Sequence, residues 1–318
     1  IDKSVPTVSV TSTTGNGSYK AGVSINVTLT FTEQVTLAGT GTPSLSIALN
    51  SGASLQVSPF SNSTSVAVTY TVAAGQTTSD LTVSSLTLSS GATLRDAAGN
   101  NVILSIAVGS NLADTSNIQV DTTPPAQPTL SSPANASFTN NTNPSLSWNA
   151  VADAPKYDVQ VDQANSFDQP LVAEVSDLSL TAWTLTISLV DGVPHYWRVR
   201  AKDAAGNTSN WSAFRWFSVD ITPPETTFSS TPASMTSGVN HTFTFTSDVG
   251  ATFEGKLDNG SWDAVSSAIA FGVSDGQHTY QVRATDPAGN VDPTPASFTW
   301  TKDTAPPSGS LEINYGYP

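Results

Sequence analysis

Three near-identical pentapeptides set an aspartate, a glycine and an asparagine at fixed spacing. DAAGN occurs at Asp96–Asn100 and at Asp203–Asn207, and DPAGN at Asp286–Asn290. Each is followed by a second acidic motif closed by paired prolines: VDTTPP (Val120–Pro125), VDITPP (Val219–Pro224) and KDTAPP (Lys302–Pro307). IDKSVP (Ile1–Pro6) reads as a weaker copy at the start. Carboxylates recurring in this way admit three chemistries: a hydrogen-bonded turn, hard-oxygen ligation of a divalent cation, or an acid/base pair. Gly and Asn tolerate positive φ, so a hairpin turn accounts for Gly99-Asn100, Gly206-Asn207 and Gly289-Asn290. The turn leaves each aspartate less well explained, because a hairpin needs no acid there.

Catalysis finds little support. His195, His241 and His278 lie in or beside predicted strands, where a structural or surface histidine is the ordinary role. No nucleophile elbow, zinc-protease motif or phosphate loop occurs. The chain contains no Cys, which excludes disulfides, thiolate metal sites and Cys nucleophiles. Counting alone does not exclude a carboxylate pair for glycoside hydrolysis, but a small sandwich leaves little room for a substrate cleft. The chain is therefore read as non-enzymatic. Among the aromatics, Trp148 and Trp197 fall at inward-facing strand positions. Trp211 is expected near Arg198 and Arg200, either stacked on their guanidinium groups at about 0.5–2 kcal/mol or exposed as a glycan contact. Asn-X-Ser/Thr triplets such as Asn62-Ser63-Thr64 and Asn210-Trp211-Ser212 are expected by chance in a chain this rich in those residues.

The formal charge is −14, with only 11 basic residues. A nucleic-acid or anionic-membrane partner needs a basic stripe, and the sequence has none. No run approaches the roughly 18 apolar residues of a membrane helix, so no membrane insertion is expected. No signal peptide opens the chain and Ile1 is not an initiator Met, so a processed or excised fragment is expected.

The elements that would position these acids are strands. Val23, Ile25, Val27, Leu29 and Phe31 alternate with polar residues, as do Trp197-Val199-Ala201 and Tyr280-Val282-Ala284. A period of two between Gly, Asn, Asp and Pro turns predicts antiparallel sandwiches, with no convincing amphipathic helix. Paired prolines cannot donate to a ladder and read as short, stiff linkers. The junction aspartates Asp2, Asp121, Asp220 and Asp303 are spaced by 119, 99 and 83 positions. They divide the chain into 1–121, 122–220 and 221–304. The remaining residues, 305–318, read as a linker and the first strand of a truncated fourth repeat.

In the first unit, Gly17–Gly22, Phe31-Thr32-Glu33-Gln34-Val35, Tyr70–Gln76 and Asp96–Asn100 together resemble a bacterial immunoglobulin-like repeat of giant surface proteins. The second unit, with Ser147-Trp148, Tyr196–Ala201 and Asn210-Trp211-Ser212, is similar to a bacterial fibronectin type III domain. The third, with Phe253-Glu254, Leu257-Asp258, Asp275-Gly276 and His278-Thr279-Tyr280, resembles another bacterial Ig-like repeat. Relatives of that third type often carry a cysteine pair near Gly255 and Val265, so this core is expected to hold without that staple. The resemblance implies an all-β chain of three tandem immunoglobulin-like β-sandwiches arranged as an elongated rod.

In such a sandwich the chain enters at the end bearing the B–C and F–G loops. Each junction aspartate is then expected beside its own unit's AGN loop and an acid of the B–C loop. The expected trios are Asp2, Glu33 and Asp96; Asp121, Asp153 and Asp203; and Asp220, Asp248 and Asp286. Three convergent carboxylates repel unless neutralised, and Ca²⁺ takes 6–8 oxygens. Asn100, Asn207 and Asn290, with Asp80 and Asp191 from the far ends of the preceding units, are possible additional ligands. Hydrogen-bonded hairpins, with acids solvated or bonded to linker amides, are the rival expectation. The resulting reading is a non-catalytic structural or adhesive stalk of a bacterial cell-surface or secreted protein, extracellular and monomeric as a segment, with calcium at the junctions. Its partner would be a surface protein or glycan of a host or neighbouring cell. The alternatives are glycan-binding accessory modules of a polysaccharide-degrading enzyme, with Trp211 as the contact, and a phage or fibre shaft segment.

Overall fold

The computed structural model describes residues 2–309. In the first group of strands, β1 (Val8–Thr11), β2 (Gly17–Tyr19), β3 (Ser24–Gly39), β4 (Leu45–Leu49), β5 (Ser54–Val57), β6 (Phe60–Thr71), β7 (Val83–Leu88), β8 (Ala92–Arg95) and β9 (Ile118–Val120) are joined by one helical turn, α1 (Leu112–Thr115). One sheet runs β1-β3-β6 with β8 also on β3, a second runs β5-β4-β7, and β2 pairs with β9 in parallel. The alternation over Ile25, Val27 and Leu29 continues at Val35 and Leu37, and these residues share one core with Leu45, Ile47 and Leu49.

Two further groups have the same topology as each other. The middle one contains β10 (Leu130–Ser132), β11 (Ser137–Thr139), β12 (Ser145–Trp148), β13 (Lys156–Asp162), β14 (Ala173–Leu178), β15 (Ala182–Thr184), β16 (Pro194–Lys202) and β17 (Arg215–Val219). The third contains β18 (Thr227–Ser230), β19 (Met235–Thr236), β20 (His241–Thr246), β21 (Thr252–Leu257), β22 (Asp263–Val265), β23 (Ala268–Phe271), β24 (Gly276–Thr285) and β25 (Ala296–Lys302). The sheets β10-β12-β15 and β11-β17-β16-β13-β14 recur position for position as β18-β20-β23 and β19-β25-β24-β21-β22. Trp148, Trp197 and Phe217 anchor the middle core, and Phe243, Phe245, Tyr280 and Trp300 the third. The chain is thus all-β, in three tandem immunoglobulin-like sandwiches.

Three details depart from the sequence reading. Glu33 lies within a strand rather than in a B–C loop: β3 runs 16 residues through it, and its register against β6 shifts between Thr30 and Val35. A bulge keeps the backbone extended while leaving Glu33 half-buried, which period-two counting cannot distinguish from a loop. The turn α1 was not expected. Its Asn111–Asp114 capping box, with Asn111 accepting from Leu112 and Asp114 accepting from Asn111, stabilises a helix too short to show a 3.6-residue period. The strand expected in the tail from Ser308 lies outside the described residues, apart from Ser308 and Gly309.

Candidate functional site

The three AGN loops share one geometry. In the middle sandwich the Asp203 amide donates to the Asn207 carbonyl at 3.1 Å, and Gly206, at φ +87°, donates to the Asp203 carbonyl at 3.2 Å. Only glycine adopts that φ without strain. The asparagine then grips the aspartate. Asn207 N donates to Asp203 Oδ1 at 2.8 Å, and Asn207 Nδ2 donates to Oδ2 at 2.8 Å. Asn100 holds Asp96 in the same way at 2.8 and 2.7 Å, and Asn290 holds Asp286 at 2.8 and 2.8 Å. The loop therefore does use its acid, contrary to expectation: the carboxylate closes a five-residue turn from within. The Asn100 side chain, ahead of the backbone amides of the loop, holds the Asp96 carboxyl below the usual carboxylate range against the opposing effect of desolvation.

The junction aspartates are also alike. In each, Oδ1 accepts from the amide two residues on, at 2.9 Å for Asp2, 2.9 Å for Asp121, 3.1 Å for Asp220 and 2.9 Å for Asp303. This turn aims the linker at the prolines. Their backbone groups join neighbouring sandwiches. The Asp121 amide donates to the Tyr19 carbonyl of the first sandwich at 3.0 Å, while its carbonyl accepts from Asn207 Nδ2 of the middle one at 2.9 Å. The Asp220 amide donates to Thr139 at 2.9 Å, and its carbonyl accepts from Asn290 Nδ2 at 2.7 Å. A second contact flanks each joint: Lys20 Nζ donates to the Gly206 carbonyl at 3.2 Å, and the Asn140 amide to the Ala288 carbonyl at 3.2 Å.

The three expected trios differ in how closely they gather. Asp2, Glu33 and Asp96 each bring a carboxylate oxygen within 4.8 Å of the others, and they form the only such group among the described residues. Hard oxygens at that spacing fit Ca²⁺. Asp121, Asp153 and Asp203 line one cleft of about 530 Å³ with Ser18 and Gln119, without reaching that mutual distance. Asp153 sits there at φ +59° and is exposed, whereas Asp203 is 6% exposed with both oxygens held by Asn207. Asp248 occupies an exposed turn and Asp286 is 7% exposed, and the third trio does not reach that mutual distance either.

Of the possible additional ligands, Asp191 Oδ1 accepts from the Ile221 amide at 3.0 Å, just past the second junction. Asp80 lies beside the strand leading to the first junction, and its Oδ1 is buried without a partner. Asp275, named from sequence only as part of the third unit's resemblance, was missed as a junction residue. It repeats the Asp191 role by accepting from the Thr304 amide at 3.2 Å, and the shared Asp-Gly pairs Asp191-Gly192 and Asp275-Gly276 were the available signal.

Trp211 lies over Arg198 and Arg200, with guanidinium carbons 4.6 and 4.7 Å from the ring centroid, so the cations occupy ring surface a sugar would need. Trp262 repeats the arrangement with Lys256 at 4.9 Å and Arg283 at 4.4 Å. Trp148 and Trp197 are core residues. His195 and His241 are almost fully buried, and burial pushes both imidazoles below the ordinary histidine pKa. His278 places Nδ1 2.8 Å from Asp258 Oδ2, but its Nε2 lies 3.0 Å from the Ser274 carbonyl. Nε2 therefore carries a proton and is not free to act as a base.

A family model for the Rha78A-like, N-terminal immunoglobulin domain matches residues 125–222, the middle sandwich. No curated protein matches the sequence. Similar solved structures include fibronectin(III)-like modules of Clostridium thermocellum CbhA, 16% identical at a TM-score of 0.39, over 58% of this chain and 98% of that one. The FN1-FN3 domains of chicken CNTN1 are 9% identical at 0.38, over 94% and 98%. A Streptomyces avermitilis alpha-L-rhamnosidase complexed with L-rhamnose is 16% identical at 0.28, over 57% of this chain and 25% of that one.

Proposed function

We propose that this chain is a non-catalytic structural segment whose repeated acidic motifs set the angle between successive sandwiches. One observation carries the reading: Asp121 and Asp220 each bond through their amide to the preceding sandwich and through their carbonyl to the AGN asparagine of the next. A linker residue fixed from both sides cannot swivel without breaking a hydrogen bond. The resulting role is a stalk that spaces or presents a binding surface, outside the cell and on a bacterial surface or secreted protein, with a protein or glycan partner.

Calcium adds to this reading at the first unit, where Asp2, Glu33 and Asp96 approach one another. The other junctions rely on the asparagine bridge. Calorimetry and small-angle scattering together test both parts. Chelation is expected to lower the melting temperature of the first sandwich and to leave the interdomain distance distribution nearly unchanged. The double substitution Asn207→Ala, Asn290→Ala is expected to broaden that distribution. An unchanged distribution in the double variant removes the bridge from the account.

The second reading is an accessory module of a polysaccharide-degrading enzyme, favoured by the match over residues 125–222 to a domain whose description names Rha78A. A catalytic domain in the same natural polypeptide would favour it, whereas many further sandwiches would favour the stalk. Retention on a polysaccharide column that is lost with Trp211→Ala would place the contact at Trp211.

A further inference from the structure

The first sandwich carries an uncapped sheet edge. Strand β6 is 12 residues long, pairs only with β3, and ends its sheet. Among the described residues no other segment makes a backbone hydrogen bond to it. Proteins usually blunt such edges with charge, proline, brevity or a covering loop. The other edges here follow that rule. Strand β14 carries Glu174 and Asp177, and β22 carries Asp263. Strands β1, β5, β10, β15, β18 and β23 have only three or four residues. On β7, Asn111 bonds both the amide and the carbonyl of Val83. Strand β6, FSNSTSVAVTYT, contains no charge and no proline.

The sequence of β6 names the occupant. About Ala67 it reads nearly the same in both directions: Val66 mirrors Val68, Ser65 mirrors Thr69 and Ser63 mirrors Thr71, with Thr64 opposite Tyr70 the one unlike pair between Ser63 and Thr71. Two antiparallel copies centred on Ala67 would set those residues opposite one another. Parity is kept, so Val66 and Val68, half-buried against the core, meet their counterparts on the core side, while Ser65, Ala67 and Thr69 stay on the exposed side. Register with β3 is unbroken from Ser65 to Thr71, and the left-handed Asn62, at φ +49°, ends the regular run on the other side. An interface of this kind is isologous and closes at two copies.

We propose that β6 is a homodimerisation edge, joining two copies of this chain antiparallel about a two-fold axis through Ala67. This departs from the monomer expected from sequence. The absence of cysteine allows a direct test on the whole chain. Across the axis the two Ala67 Cα atoms would stand about 4.5–5.5 Å apart, within the span of a disulfide. Ser65 would be roughly 13 Å from its own copy. Sedimentation over a wide concentration range should show a reversible dimer. Under mild oxidation, Ala67→Cys should crosslink and Ser65→Cys should not. Ala67→Lys, which sets like charges opposite each other at an exposed position, should raise the dimer dissociation constant roughly tenfold or more. A protein monomeric throughout overturns the proposal. So does a dimer unaffected by Ala67→Lys, or crosslinking at Ser65→Cys as strong as at Ala67→Cys.

Discussion

Asn207 Nδ2 spans two acceptors, the carboxylate of its own loop and the carbonyl of Asp121 in the linker. Removing that amide leaves Asp203, 6% exposed, with one donor fewer. Asn207→Ala should therefore destabilise the middle sandwich by about 1–3 kcal/mol, read from urea unfolding by tryptophan fluorescence. Asn100→Ala should cost less, because Asp96 is only half-buried. A second residue-scale effect depends on pH. His195 is 0% exposed and stacked on Phe217, with neither ring nitrogen making a complete hydrogen bond. Burial lowers its pKa from 6.5, and the Val193 carbonyl offsets part of the shift. The unfolded chain then binds the proton more readily, so His195 contributes stability above pH 6.5 that is lost as pH falls through 6.5 towards the depressed native value. The middle sandwich should lose melting temperature between pH 7 and 5, and His195→Phe should flatten that slope. In the third sandwich His278 opposes this. Asp258 raises its pKa, so its contribution is present below 6.5 and fades as pH rises through the raised value. The Gly-Asn half of each motif was legible in the sequence as turn chemistry. The aspartate's role was not, because a carboxylate and an asparagine four residues apart meet only when the intervening glycine takes positive φ.

At the element scale, alternation located the strands well. Ile25, Val27 and Leu29 are buried as their spacing predicts, as are Trp197, Val199, Ala201, Tyr280, Val282 and Ala284. The β3 bulge and the division of the first strand into β10 with β11, and β18 with β19, were not legible, since each depends on pairing with distant strands. The third core also shows how close packing is reached near Gly255 without a cysteine pair. A Cβ on Gly255 would lie 1.9 Å from Tyr280 Oη, so the glycine makes room for the tyrosine ring in a cluster with Phe243 and Phe271. Gly255→Ala should destabilise the third sandwich by roughly 1–3 kcal/mol through overpacking. Tyr280 Oη is buried without a partner, so Tyr280→Phe alone should be neutral or stabilising. In the double variant it should recover only part of the Gly255→Ala loss, because the ring carbon Cζ would still lie 2.7 Å from the new Cβ. Calorimetry on the four proteins checks the cycle.

Over the whole molecule, the recurrence of one joint matters more than any single residue. Sequence placed the junction aspartates beside the AGN loops, and the carbonyls of Asp121 and Asp220 do meet those loops. Side-chain convergence was harder to foresee, because it depends on where the B–C acids point: Glu33 leaves a bulge towards Asp2 and Asp96, while Asp153 and Asp248 remain exposed. Chelation should therefore act on the first sandwich, and asparagine substitution on the joints. No helix is long and apolar enough to cross a membrane among the described residues. The most direct test of the joint is a spin-label distance distribution across the first junction. Labels at Ser85 and Ser176, both exposed and introduced as the only cysteines, would report on it, with Ala67→Lys present to keep the protein monomeric. A narrow distribution that persists in chelator and broadens with Asn207→Ala is the predicted result. A distribution already broad in the parent protein, or one that stays narrow after Asn207→Ala, would contradict it.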